Sequence, residues 1–284
     1  MIISRTSTRI SFLGGGLDYP EWFLEHGGAV ISTTINKYVW IMLNDGHITS
    51  SFDVPARSGL ATSSAHTVGL LKILAELKSR DSDPDAIAQI ATFVERDKLN
   101  NNVGVQDQYI CSKGGFRLLR FSEVGIRDIC FDNIDWLNSY LMLFHTHQYR
   151  KRAGDVVSAQ LAEMADHTEA YFKLMELVEE GLRAIEAKDW ESFGLILHES
   201  WLLKRTLSGV ITTGAIDDIY NTGLKAGAIG GKLLGSGGGG AMLFLAPPDK
   251  QENIKQVLPR CEYIPFKFEK EGAKIVYRDE RIQG

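Results

Sequence analysis

The stretch Pro55-Ala56-Arg57-Ser58-Gly59-Leu60-Ala61-Thr62-Ser63-Ser64-Ala65, running straight into an apolar-periodic segment from Thr67 to Lys78, constrains this chain more than any other. Gly59 lets backbone amides come close to an anion. Thr62, Ser63 and Ser64 offer hydroxyls and helix caps, and Val68, Leu71, Leu74 and Ala75 recur at helical spacing. The pattern describes a loop that hands over to a helix with its positive end turned toward phosphate. No lysine follows in the G-x-x-x-x-G-K-[ST] arrangement, so a Walker-type site is disfavoured; an ordinary capped helix after a turn is the competing reading of these residues alone.

Composition narrows the partners. A 284-residue chain with 44% hydrophobic and 24% charged residues is an ordinary globular sequence of two domains. Its formal charge of -5, with no long run of Lys and Arg, provides no field for a nucleic acid. Met1-Ile2-Ile3-Ser4-Arg5 lacks the apolar core of a signal peptide, and no apolar run approaches the roughly 20 residues that span a bilayer, so no membrane partner is expected. Cys111, Cys130 and Cys261 are odd in number and far apart, which fits neither a disulfide framework nor a Cys-x-x-Cys site and points to a reducing cytoplasm.

Ile2 to Leu13 reads as extended chain ending at Gly14-Gly15-Gly16, after which Leu17-Asp18-Tyr19-Pro20 presents a carboxylate and a phenol, suited to a polyol or to a solvated turn. Gly28 to Leu43 reads as one or two strands closed by a hairpin at Asn44-Asp45-Gly46. Asp85 to Leu99 has helical spacing and places Glu95 on its last turns beside Arg96, a surface position by composition. Asp107, in Gly104-Val105-Gln106-Asp107-Gln108-Tyr109, is read either as a helix cap or as a base toward a hydroxyl.

Gly115 to Phe121, Ile126 to Phe131 and Tyr140 to Phe144 read as strands. His145-Thr146-His147 follows; two histidines at i and i+2 share one strand face, but no acidic or Cys companion lies nearby in sequence, so a metal there is disfavoured. From Gly154 to Ala226 the periodicity turns helical, and the change near Arg150 suggests a division into residues 1–150 and 151–284. Arg150-Lys151-Arg152 and Lys204-Arg205 are the densest basic clusters, each a solvated face or a receiver for an anionic substituent. Seven glycines between Gly230 and Gly240 are costly to order, and their apolar borders argue for a packed loop near a ligand, followed by a strand from Ala241 to Leu245. A helix from Asp249 to Leu258 and strands over Ile264 to Phe268 and Lys274 to Tyr277 complete the chain.

Three glycine-bearing stretches in this order resemble the motifs of the GHMP kinases. The first is Arg9-Ile10-Ser11-Phe12-Leu13-Gly14-Gly15-Gly16-Leu17-Asp18-Tyr19, the second Pro55 to Ser64, and the third Lys232-Leu233-Leu234-Gly235-Ser236-Gly237-Gly238-Gly239. Within that superfamily, Gly104 to Tyr109, Phe193 to Arg205 and Ala226-Gly227-Ala228 are similar to the bacterial D-glycero-D-manno-heptose 7-phosphate kinases. The resemblance implies an α+β, two-domain GHMP kinase fold: an N-terminal domain with a left-handed βαβ unit, against the usual handedness rule, and a C-terminal ferredoxin-like domain, with the active site between them.

It further implies an ATP- and magnesium-dependent kinase that phosphorylates the anomeric hydroxyl of a sugar phosphate, heptose 7-phosphate to the 1,7-bisphosphate. Ser58, Gly59, Leu60, Ala61, Thr62, Ser63 and Ser64 would hold the triphosphate, Ser63 and Glu95 the magnesium. Asp107 would stand beside the acceptor hydroxyl and Arg9 would neutralise developing charge. Gly15, Gly16, Asp18, Tyr19, Gly237 and Gly238 would surround the sugar, with Lys204, Arg205 or Arg152 at the distal phosphate. A simple galactose- or fucose-type kinase and a non-catalytic sugar sensor on the same fold are the alternatives, and a homodimer stays open. Two departures stand out. Ala61 replaces the usual glycine, and Lys37 to Val54 is too short for the segment that helps wall the nucleobase in such kinases, so either the nucleotide site is trimmed or a segment is missing before Pro55.

Overall fold

The computed structural model describes residues 1–78, 83–148 and 153–279. Strand β1 (Ile2–Leu13) leads through a glycine turn into α1 (Pro20–His26), whose proline occupies the first helical turn. The long strand β2 (Gly28–Asn44) then folds back on itself as β3 (His47–Phe52). Asp45 and Gly46 at this hairpin have φ of 47° and 78°, the left-handed pair that lets a two-residue turn follow the strand twist. Helices α2 (Thr62–Leu77), α3 (Pro84–Phe93) and α4 (Gln106–Lys113) follow, with a π-helical turn at Val94–Lys98 between the last two. Strands β4 (Phe116–Ser122) and β5 (Gly125–Phe131) and the short α5 (Asp135–Asn138) lead to β6 (Leu141–His145).

The helical stretch comprises α6 (Ala153–Ala162), a 3-10 turn at Met164–His167, α7 (Thr168–Glu186), α8 (Trp190–Thr206) and α9 (Gly214–Lys225). The chain ends through β7 (Gly230–Leu233), β8 (Ala241–Leu245), α10 (Pro248–Val257), β9 (Glu262–Tyr263), β10 (Phe268–Glu269) and β11 (Lys274–Arg278).

Two antiparallel sheets result. The first has the order β11-β1-β2-β4-β5, and the length of β2 lets three strands share one of its edges: β4 along Gly28 to Thr33, β10 at Thr34 and Ile35, β3 along Val39 to Asn44. The second has the order β7-β8-β6-β9. With β6 as its first strand, β7 and β8 as a hairpin after the helices, and β9 after α10, this is the strand order of a ferredoxin-like unit. Sheet membership crosses residue 150: β6 precedes it yet belongs to the second sheet, and β10 and β11 return to the first. A division into 1–150 and 151–284 therefore describes the change of sequence period, whereas the two sheets are interleaved along the chain.

Two local expectations are corrected. Gly230 to Leu233 is a strand and not part of a loop; α8 lies so close that a Cβ on Gly230 would stand 1.9 Å from Gly194 O. Ile264 to Phe268 is mostly irregular, flanked by the two-residue strands β9 and β10.

The two layers share a core. Phe12 of β1 stacks on Phe116 of β4 with centroids 5.5 Å apart and meets Phe193 of α8 edge-on at 5.7 Å, so an aromatic cluster bridges the first sheet and the helices of the second unit. A smaller cluster, including Val39, Ile41, Val68 and Ile73, packs α2 against β1 and β2. Among the described residues, no helix is long and apolar enough to cross a membrane.

Candidate active site

A cleft opens where the turn after β1, the loop before α2, the start of α4 and the loop after β7 meet. Arg9 is its central tie. Its Nε and Nη2 donate to Asp107 Oδ1 and Oδ2 at 2.7 and 2.9 Å, a bidentate pair, while Nη1 donates to Gly59 O at 2.6 Å. One buried side chain thus fixes β1, the Gly59 loop and α4 relative to one another. Asp107 sits in the first turn of α4 with a quarter of its side chain exposed, enough to face a ligand.

The loop before α2 has the form of an anion cradle. Ala61 is the N-cap residue and no side chain caps the helix, so the first-turn amides are left to the cleft. Gly59, with φ of 81°, is required here because a Cβ would stand 2.3 Å from Leu234 O, in the loop that follows β7. Gly59, Ala61, Thr62, Ser63 and Ser64 line the cleft. Ser58 and Leu60 are fully buried and serve as backbone links: Ala241 N donates to Ser58 O at 2.7 Å, and Arg9 N to Leu60 O at 3.1 Å.

Glu95 lies behind this loop. The π-helical turn swings it inward until only 1% is exposed, the reverse of the surface position that regular helical spacing suggests. Its Oε2 accepts hydrogen bonds from Ser64 Oγ at 2.9 Å and Gln108 Nε2 at 2.5 Å, whereas Oε1 is buried with no hydrogen-bond partner. Burial raises its pKa, partly offset by the nearby Thr67, Ser64 and Gln108 side chains. A buried carboxylate oxygen left unsatisfied beside a serine hydroxyl fits a hard divalent cation, which takes oxygen ligands. Ser63, on the exposed side of the same turn, is the second expected ligand and lines the cleft, while Ser64 is the serine that holds Glu95.

At the other end of the cleft, Asp18 is 3% exposed and accepts backbone hydrogen bonds from Gly16 N at 3.2 Å and Gln106 N at 3.3 Å. It fits against Gly104, where a Cβ would stand 1.8 Å from Asp18 Oδ2. Burial first, and then the nearby Asp107 charge, raises its pKa. Tyr19, beside it, has its phenol pushed well above the usual value by burial and then by Asp18, so it remains an O–H group.

Two lysines close this end. Lys204 of α8 donates to Gly235 O at 2.8 Å, and Lys232 of β7, 2% exposed, donates to Phe12 O at 2.7 Å. A Cβ on Gly15 would stand 3.2 Å from Lys204 Nζ and 3.9 Å from Lys232 Nζ, so both side-chain nitrogens gather over that glycine. Burial, then the charges of Lys204 and Arg9, lower the pKa of Lys232 well below the usual lysine value. An anion placed here would reverse that penalty.

The expected site residues thus largely converge: Arg9, Gly15, Gly16, Asp18, Tyr19, Asp107 and Lys204 share the cleft with the phosphate loop. Gly237 and Gly238 do not line it and pack on Ile211, Gly238 N donating to Ile211 O at 2.8 Å; Gly235 and Ser236 take their place. Arg205 is turned to Asp217 at 2.9 Å, and Arg152 lies outside the described residues. Arg57, Asn102, Gln106 and Lys232 also line the cleft and were not singled out from sequence. Lys232 left a signal, a lone charge within an apolar glycine-rich run.

Comparison with known proteins identifies the family and the fold. Residues 29–115 match the N-terminal domain of the GHMP kinases and residues 182–264 the C-terminal domain. The chain is 31% identical over 335 aligned positions to a D-glycero-alpha-D-manno-heptose 7-phosphate kinase of Campylobacter jejuni, covering 96% of this chain and 98% of that protein. It is 24% identical to a mevalonate kinase of Methanocaldococcus jannaschii over 74% of this chain and 65% of the relative. The crystal structure of a D-glycero-D-manno-heptose 1-phosphate kinase from Bacteroides thetaiotaomicron has the same fold, with a TM-score of 0.80 at 22% identity, covering 99% of this chain and 100% of the other. So does the Lactococcus lactis galactokinase complexed with galactose, at 0.76 and 14%, covering 96% and 94%.

Proposed function

Because the chain belongs to the GHMP kinases, a family of small-molecule phosphotransferases, we propose that it transfers the γ-phosphoryl group of ATP to the anomeric hydroxyl of a sugar phosphate, D-glycero-D-manno-heptose 7-phosphate, giving the 1,7-bisphosphate. The observation that carries the choice of a phosphorylated acceptor is the pair of buried lysine side chains, Lys204 and Lys232, whose Nζ atoms gather over Gly15 beside Asp18. A phosphate seated there would accept hydrogen bonds from both side chains and offset the burial that depresses the Lys232 pKa, which an uncharged sugar would not do. The near full-length likeness to the Campylobacter jejuni protein supports the same acceptor.

In this reading the uncapped first turn of α2 holds the triphosphate, and Ser63 and Glu95 hold magnesium, which when bound neutralises charge on the phosphate oxygens. Asp18 and Tyr19 orient the sugar ring. The anomeric oxygen attacks the γ-phosphorus, the bond to the bridging oxygen of ADP breaks, and the hydroxyl proton passes to the Asp107 carboxylate. Arg9 keeps that carboxylate in position through its two-point grip and offsets the charge that develops beside the phosphate loop.

The test is ADP release with magnesium and ATP across heptose 7-phosphate, mannose 6-phosphate, galactose, fucose, homoserine and mevalonate. Turnover is expected with the heptose phosphate and to fall about 100-fold or more in Asp107→Asn. Equal turnover with galactose or fucose would remove the role given to the lysines.

A further inference from the structure

Beside Gly240, at the end of the third glycine stretch, β6 ends at His145, and Thr146 and His147 follow. The acidic companion that the neighbouring sequence lacks is supplied by pairing: β9 lies antiparallel to β6 with Glu262 opposite His145. His147 has φ of 53°, a left-handed conformation that is uncommon for any residue but glycine, and its ring lies across that of His145 with centroids 4.6 Å apart and planes at 87°. The two Nδ1 atoms stand 3.2 Å apart, and Glu262 Oε2 is 4.0 Å from His147 Nε2. One ligand atom from each of the three residues falls within 4.8 Å of the others, and among the described residues this is the one such cluster of three.

We propose that His145, His147 and Glu262 form a binding site for a zinc-type divalent cation, distinct from the magnesium held at the phosphate loop. The spacing fits. Nitrogen ligands about 2.0 to 2.1 Å from a tetrahedral ion stand about 3.3 Å apart, close to the separation of the two imidazoles. Glu262, whose carboxylate now lies nearest His147 Nε2, has a mostly exposed side chain that can swing to the Nδ1 side, and the exposure of His147 leaves the fourth position to water. Imidazole with one carboxylate favours zinc and its neighbours over magnesium, which takes an all-oxygen shell.

The position gives the cation something to brace. Thr146 donates through its N and Oγ1 to Gly240 O at 3.0 and 2.7 Å, Gly240 N donates to Gln148 O at 3.1 Å, and the next residue, Ala241, bonds Ser58 of the phosphate loop. Holding β6 and β9 together at this point steadies the strand ends on which the glycine stretch and the phosphate loop hang. None of the three ligands lines the catalytic cleft.

The test uses the full chain freed of metal, titrated with cobalt(II) as a spectroscopic probe and with zinc by calorimetry, in wild type, His147→Ala, Glu262→Gln and Cys261→Ser. Expected are one cobalt per chain with a tetrahedral visible spectrum, no thiolate-to-metal absorption, displacement by zinc, and a higher melting temperature with zinc. His147→Ala should weaken binding at least about tenfold and abolish the thermal shift, Glu262→Gln should weaken it less, and Cys261→Ser should leave it unchanged, with magnesium-dependent turnover retained in all three variants. Absence of stoichiometric binding would reduce the histidine pair to an imidazole hydrogen bond, and binding that survives His147→Ala or disappears in Cys261→Ser would place the metal elsewhere; each overturns the proposal.

Discussion

Glu95, the proposed magnesium ligand, carries a cost in stability. Its folded-state pKa is raised above the ordinary glutamate value, so its contribution to stability is fully present below about pH 4 and is lost as pH rises through the folded value. Glu95→Gln keeps an acceptor for Ser64 and Gln108 and puts a neutral amide where Oε1 has no partner. Without divalent cations the variant should therefore melt higher than wild type at pH 7 to 8, with the difference vanishing near pH 4, while magnesium-dependent turnover falls about 100-fold. A variant that melts lower at neutral pH would show that the buried charge is satisfied in the apo protein. Lys232 carries the opposite sign. Its pKa is depressed in the fold, so a phosphate seated beside it should restore the proton. Calorimetry of acceptor binding in buffers of differing ionisation heat should reveal proton uptake, and affinity should decline as pH rises past the depressed value. Buffer-independent heats would mean that the phosphate does not sit at Lys232.

At the scale of the element, the N-cap of α2 is Ala61, where the motif that this loop resembles carries glycine. Ala61 has φ of 60° and ψ of 29°, a left-handed conformation that strains any residue with a Cβ by about 1 kcal/mol, and it lies between the cleft and the small core cluster under α2. Ala61→Gly removes both the strain and the methyl group. The variant should be as stable as wild type or more so, since the relief outweighs or balances the extra freedom of glycine in the unfolded chain, and its KM for ATP should fall. A thermal melt and a nucleotide titration measure the two effects; a higher KM would show that the methyl helps to shape the cradle.

For the whole molecule, the cleft depends on a narrow seam between the two sheets. Lys232 reaches Phe12 O, Ala241 N reaches Ser58 O, and Gly59 lies directly against Leu234. Gly59→Ala would force a Cβ to within 2.3 Å of Leu234 O at a φ of 81°, so the seam must open. The expected result is a loss of a few kcal/mol in stability together with nearly complete loss of turnover. If melting is unchanged, the two sheets meet more loosely than this seam implies. The β2–β3 hairpin closes without interruption, Asp53 N donating to Tyr38 O at 3.0 Å, and the 335-position alignment with the Campylobacter jejuni protein exceeds the 284 residues here, so that relative carries segments this chain lacks.

Local chemistry made much of this legible in advance. Strand β1, the Asp45-Gly46 hairpin, the helices from α7 to α9 and the phosphate loop all follow from side-chain period and turn residues, which act between near neighbours in the chain. Beyond local chemistry, the resemblance of the Arg9 to Tyr19 and Pro55 to Ser64 motifs, with that of Gly104 to Tyr109, joined Arg9, Asp18, the Gly59 loop and Asp107 in one expected site. What the chain could not show by itself depended on contacts between distant segments. The π-helical turn that buries Glu95 leaves no trace in regular helical spacing, and the return of β10 and β11 to the first sheet is a matter of pairing across the whole chain. Lys232 is drawn to Lys204 by the packing of β7 on α8, and Glu262 is brought to His145 by strand register. Period and turn propensity are local energies readable from consecutive residues; burial of a charge, a shifted pKa and the meeting of ligands from separate strands arise only when the tertiary structure removes water between them.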